Sequence, residues 1–202
     1  MELPLTDERL RTVLQVMANT GIERAADGLS EMIGQRIHMT VPTITIVPIG
    51  SVPERVGGAE SMVAGIYLAA EGEMSGHVML ILSLQDAMRL VDLLIGQPEG
   101  TTTDLDDPLS RSALAEAGNL AASFFLNGVA AALGVSGRPS PPAVIVDMAG
   151  AILDIMLVTA GQLGDDVLLL ESVFQREGRE LRLFFWVLPD LLPLRSLVKE
   201  GS

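Results

Sequence analysis

Cysteine is absent from the chain, which removes disulfides, thiol nucleophiles and thiolate metal sites and suits a reducing, cytoplasmic compartment. Basic charge is nearly as scarce. Thirteen Lys and Arg residues, of which Lys199 is the only lysine, face 26 acids, and the net charge is −13. No basic cluster occurs, so nucleic acid and anionic membrane surfaces are excluded as expected partners. The opening Met-Glu-Leu-Pro-Leu-Thr-Asp-Glu lacks the basic region of a secretory signal, and no leader is expected. A long purely apolar run is missing too. The 21 residues from Ala117 to Gly137 carry no charge, but Asn119, Asn127, two serines and four glycines dilute them, so the segment reads as a buried helix and not a membrane insertion.

What the chain does have is hydrophobic mass: 49% hydrophobic residues in 202, with a mean hydropathy of +0.42, enough for a sizeable core. One stretch breaks that mass in step. From Ser112 the next polar residues fall four, three, four and four positions on, at Glu116, Asn119, Ser123 and Asn127. At about 100° per residue the five lie within roughly 80° of one another on a helix. A helix with one narrow polar seam is mostly buried, with the seam as its window to water.

Taken in order, Thr6 or Asp7 caps a first helix with apolar residues at helical spacing from Leu10 to Ile33, ended by Gly34. Ile37 to Val47 alternates as a strand around Pro42, and residues 48–60, rich in Pro and Gly, read as loop. Met62 to Leu84 reads as a hairpin turning at 71–76, and about 85–95 as a helix; residues 97–108 form the linker. After it the pattern restarts. Adding 100 to each number brings Asn19 onto Asn119, Gly28 onto Gly128, Gly34 onto Gly134 and Pro42 onto Pro142, with Leu29, Ile33 and Ile44 meeting Val129, Leu133 and Val144. Val167 to Leu188 repeats the hairpin and Pro189 to Val198 its closing helix. The expectation is a single α+β domain over 1–202, an internal duplication of two homologous halves, about 6–96 and 109–199. The halves pack about a pseudo-twofold, with about six strands sharing one core and two long helices outside carrying equivalent positions.

The equivalents of Ser112, Glu116 and Asn119 are Thr12, Val16 and Asn19, so the first seam has lost its carboxylate. In the complete seam, Glu116 and Asn119 stand at i and i+3 and project together from one face. A carboxamide is donor and acceptor at once and can hold a water in line with an electrophile, while a carboxylate can pair with a partner's lysine. That suits a helper of hydrolysis more than a self-contained enzyme. His38 and His77 lie in expected strands, far from the seam in sequence. The acidic linker at Asp104, Asp106 and Asp107 reads as helix-dipole complement and not as a metal site, and the ten methionines as core filler. Glu-x-x-Asn alone also fits a plain solvated stripe.

The chain resembles the CheC phosphatases of chemotaxis, within the CheC, CheX and FliY group. Ser112, Glu116 and Asn119 fit the group's signature of Asp or Ser, three residues, Glu, two residues, Asn. Pro139 to Pro142 leading to Asp147 through Leu153, and Asn19 through Ser30 followed by Val41 and Pro42, are similar as well. The resemblance implies a protein aspartyl-phosphate phosphatase of two-component signalling, acting on a phosphorylated CheY-like response regulator. Asn119 would position the attacking water, Glu116 would dock on the regulator's lysine, and Ser112 would support the motif. No cofactor is expected on this chain, since the Mg²⁺ belongs to the regulator. The departures at Val16 and Thr12 leave Asn19 in a degenerate first site, and one competent site is expected. The resemblance also admits a different class: a non-catalytic chemotaxis or flagellar-switch scaffold like the middle domain of FliM, or an adaptor for a CheD-like deamidase. A fused switch-type C-terminal domain is not expected, which sets the chain apart from FliY.

Overall fold

The computed structural model describes residues 8–34, 36, 38–39, 43–160, 166–176 and 179–189. The expected cap at Thr6 or Asp7, Pro42 and the closing helix beyond Pro189 lie outside these residues. Helix α1 spans Glu8–Ile33. Ala18, Ile22, Ala25, Ala26 and Leu29 are buried on one side of it, Glu23, Asp27 and Glu31 are exposed on the other, and Gly34 follows at φ 68°. Strands β1 (His38–Met39) and β2 (Thr43–Pro48), the short helix α2 (Val52–Arg55), the hairpin β3 (Met62–Gly72) and β4 (Gly76–Ser83), and helix α3 (Leu84–Leu94) follow. Beyond residues 97–107 come α4 (Pro108–Leu133), β5 (Gly137–Pro139), β6 (Ala143–Met148), α5 (Ala149–Ala160), β7 (Asp166–Arg176) and β8 (Arg179–Pro189).

All strands among the described residues join one antiparallel sheet. Its order is β1, β7, β8, β4, β3, β5, with β2 also on β7 and β6 also on β3. Strands 38–48 therefore lie against the hairpin of 166–189, and strands 137–148 against the hairpin of 62–83. The two hairpins meet where β4 pairs with β8, from Gly76 opposite Pro189 to Ile81 opposite Phe184.

The mixed α+β fold is as expected; the strand count is not. Among the described residues eight strands occupy the sheet instead of about six: β1 and β2 stand where one strand is expected, and β5 and β6 where a second is divided. Prolines account for the second division: Pro141 and Pro142 have no N–H to give the ladder. Ser140 bridges the gap, accepting from the Ala69 amide through Oγ at 2.9 Å and donating its own N–H to the Ala69 carbonyl at 2.8 Å.

A second correction concerns the core, which is double. Ile66, Leu68, Leu80, Leu82 and Phe185 face α1, α3 and α4, while Val63, Met79, Ile81, Phe184 and Trp186 face Val52 of α2 and Ile152 and Met156 of α5. A sheet buried on both faces reads as near-continuous apolar runs, as β3, β4 and β8 do. Helix α5, Ala149–Ala160, has only Asp154 and Thr159 to break its apolar sequence, so no amphipathic period announces it. Helix α2 interrupts the segment expected to be loop, with Pro53 in its first turn, where a missing N–H costs nothing.

Helices α1 and α4 cross closely because glycines remove side chains at their contacts. A Cβ on Gly21 would collide with the Phe125 ring, one on Gly28 would sit 2.5 Å from Cδ2 of Phe124, and one on Gly128 would sit 2.8 Å from the Thr20 carbonyl oxygen. Phe125 is fully buried and stacks on Phe185 of β8 with ring centroids 5.8 Å apart. That ring ties both long helices to the centre of the sheet.

Candidate functional site

Helix α4 has chemically defined ends. Asp107 caps it by accepting from the amides of Leu109 and Ser110, each at 2.9 Å. The hydroxyl and amide of Ser110, helped by the Leu109 amide, hold the Asp107 carboxyl below its ordinary range. Pro108 fills the first turn, and Gly134 closes the helix at φ 69° with its N–H on the Ala130 carbonyl at 2.8 Å. Arg111 pins the first turn to the sheet, donating to the Val144 carbonyl of β6 at 3.3 Å and pairing with Asp106 at 3.7 Å.

Leu114, Ala117, Gly118, Ala121, Ala122, Phe125 and Leu126 are buried, which leaves the expected seam outward. Ser112, Glu116 and Asn127 are exposed, and Asn119 and Ser123 are half-buried. Next to Asn119, Gly118 lies so close to β3 that an added Cβ would collide with Ile66. The motif thus stands on a part of α4 packed closely against β3. Among the described residues no hydrogen bond or ion pair engages the side chains of Ser112, Glu116 or Asn119. A carboxylate and a carboxamide presented side by side and unengaged can both enter a partner's cleft.

The first seam differs in more than its missing carboxylate. Thr12 and Asn19 are exposed and Val16 is half-buried, but Gln15 Nε2 donates to Asn19 Oδ1 at 3.1 Å. The asparagine that would have to bind water already has an amide on its acceptor.

No protein-family model matches the chain. It is 31% identical over 186 residues to the CheY-P phosphatase CheC of Bacillus subtilis, covering 91% of this chain and 89% of that one. The chain belongs to the CheC family. Solved structures agree on the CheC-like fold: Thermotoga maritima FliY superposes with a TM-score of 0.78 at 21% identity, over 99% of this chain and 100% of that chain. A CheX from Borrelia burgdorferi, solved with CheY, BeF3 and Mg²⁺, superposes at 0.53 with 17% identity, over 83% of this chain and 95% of that chain.

The other candidate groups of this CheC-family chain stay away from the seam. His77, two residues before Met79 in β4, shares with it the sheet face turned to α2 and α5, so the sheet separates it from α4. Its Nδ1 meets the Tyr67 hydroxyl at 2.8 Å. Burial pushes the His77 pKa down and the Tyr67 pKa up. His38 lies in β1, opposite Gln175. The linker aspartates are used locally: Asp104 accepts from the Asp106 amide at 3.1 Å, Asp106 pairs with Arg111, and Asp107 is the cap. Among the described residues no three metal-ligating side chains converge, and no helix is long and apolar enough to cross a membrane.

One group escaped sequence reasoning. Asp92, at the end of α3, is buried. Its carboxylate accepts from the amides of Gly100 at 2.7 Å, Thr101 at 3.2 Å and Thr102 at 2.8 Å, folding the linker onto the helix. Its one sequence signal is an acid on the apolar side of a short helix.

Proposed function

We propose that this protein stimulates hydrolysis of the aspartyl phosphate on a CheY-like response regulator in the cytoplasm, from the one intact face of α4. Asn119 positions the water: its Oδ1 accepts from the water and its Nδ2 lies free to meet the phosphoryl group or its surroundings. The water oxygen bonds to phosphorus, the bond to the aspartate oxygen breaks, and inorganic phosphate and a free carboxylate result. Glu116 docks on a lysine of the regulator and sets the depth to which Asn119 enters, with Ser112 supporting the motif. The Mg²⁺ in this reading is the regulator's own. Phosphoryl transfer depends mostly on positioning and charge neutralisation, so one well-held amide is enough help from outside. The relationship to a CheY-P phosphatase and the fold shared with a CheX solved with CheY support the assignment. The observation that carries the residue roles is the unengaged pair of exposed Glu116 and half-buried Asn119 on a helix braced by Gly118.

The two halves, about 6–96 and 109–199, are in this reading copies of one ancestral unit. Their exchanged outer strands and the matching contacts of Gly28 with Phe124 and Gly128 with Arg24, each pair related to the other by adding or subtracting 100, support it. The first face is then a retired copy of the second.

The test is phosphate loss from phosphorylated regulator with Mg²⁺. Asn119→Ala should lower the stimulated rate on the order of a hundredfold, the scale of losing a positioned reactant, and Glu116→Ala should weaken it mainly through docking. A rate unchanged in Asn119→Ala overturns the mechanism and leaves a scaffold role.

A further inference from the structure

The intact seam ends in a residue that polar chemistry does not explain. Leu109, in the first turn of α4, is 60% exposed and is the only large apolar side chain of that helix so placed. The other exposed ones among the described residues, Met62, Met148, Ile155 and Val158, belong to β3, β6 and α5. Leu109 is seven residues before Glu116 and three before Ser112. At about 100° and 1.5 Å per residue it stands within about 20° of Glu116 around the helix, about 10 Å toward the N-terminus. Its backbone is fixed, with its N–H on Asp107 Oδ1 at 2.9 Å, and Arg111 two residues on is bonded to β6. The exposed leucine is therefore presented by a braced turn.

Resting on the reading of the site given above, we infer that Leu109 is the apolar anchor of the same docking face and buries its side chain against the response regulator when Glu116 and Asn119 enter. A solvent-exposed ion pair adds little affinity on its own, and interfaces draw most of theirs from a few desolvated anchors surrounded by polar contacts. The seam offers Ser112, Glu116 and Asn119 but no large apolar side chain among them, and Leu109 supplies one at the same helical angle.

The experiment measures binding of beryllofluoride-loaded regulator with Mg²⁺, alongside KM and kcat for phosphate release. Leu109→Ala should weaken binding and raise KM roughly tenfold with kcat unchanged, Leu109→Asp should do more, and Leu109→Met should restore both. Thermal midpoints should not move, since the side chain is exposed. Unchanged binding in Leu109→Ala and Leu109→Asp overturns the anchor. So does a variant that alters only self-association in sedimentation. Asn119→Ala separates the two readings: if it abolishes hydrolysis while both Leu109 variants bind normally, the anchor alone falls. If Asn119→Ala hydrolyses normally, the positioning mechanism falls, and binding by the Leu109 variants still decides the anchor.

Discussion

Gln15 Nε2 donates to Asn19 Oδ1 at 3.1 Å, whereas Asn119, at the corresponding place on α4, has Ala115 one turn before it. The first face thus differs from the second in two ways, a valine where the second has a carboxylate and an amide on the asparagine's acceptor. An exposed neutral hydrogen bond is a weak lock, worth about 0.5–1.5 kcal/mol. In an Asn119→Ala background, Val16→Glu should therefore raise phosphate release only slightly, and adding Gln15→Ala should raise it a further twofold to tenfold. If the second substitution adds nothing, the lock is irrelevant and the first face has diverged elsewhere.

Gly118 decides how closely α4 approaches β3. Its substitution by alanine would drive a Cβ into Ile66, and overpacking of this kind costs about 1–3 kcal/mol. Because the strain falls beside Asn119, stimulated phosphate release should drop as well. Ile66→Ala opens the space, so urea titrations should show the double variant losing about 1 kcal/mol less than the two single losses combined. Simple additivity would mean that the helix absorbs the methyl group without pressing on Ile66.

The seam was legible because five polar residues kept helical step through an apolar run, and that periodicity survives in the exposure of Ser112, Glu116 and Asn127. The hairpins were legible for the same kind of reason, with runs bounded by turn residues. Helix α5 was not, since Ala149–Ala160 packs Ile152 and Met156 on the sheet's second face yet has too few polar residues to mark an outer side. Asp92 was hidden for another cause. A buried carboxylate is defined by the amides that reach it, and those come from residues 100–102, across a linker whose path no local pattern specifies. Gln15 gives no signal of its own, because an amide one turn from an asparagine is ordinary on a helix surface.

His77 makes stability sensitive to mild acid. Burial lowers its pKa from the ordinary 6.5, so the folded state resists protonation that the unfolded chain accepts. The sign follows: this contribution is complete above about pH 6.5 and is lost as pH falls through the lower folded value. Replacing the ring with His77→Gln removes the titration. The stability difference between the two proteins, read from urea midpoints at about pH 7.5 and about pH 5, should shift in the variant's favour at the lower pH. Parallel curves would show that His77 does not titrate differently on folding.

Asp92 acts in the opposite range and holds the chain leading into α4. Burial by itself would raise its pKa, but the hydroxyl and amide of Thr102 and the amides of Gly100 and Thr101 outweigh it and bring the carboxyl below the ordinary 3.8. A folded-state pKa below the unfolded one contributes stability above about pH 3.8 that is lost as pH falls through the folded value. Asp92→Asn replaces one acceptor oxygen with an amide that faces N–H donors, and a hydrogen bond to a charged group contributes about 1.5–3 kcal/mol. The variant should therefore lose about 3 kcal/mol at neutral pH, with the deficit shrinking in strong acid. Residues 100–107 run from this carboxylate to the Asp107 cap, so the loss should reach the site's own helix start. Hydrogen exchange at the amides of Gly100, Thr101 and Thr102 should accelerate most, followed by those of Leu109 and Ser110. Unaltered exchange at the first three amides would show that the linker is held by something other than Asp92.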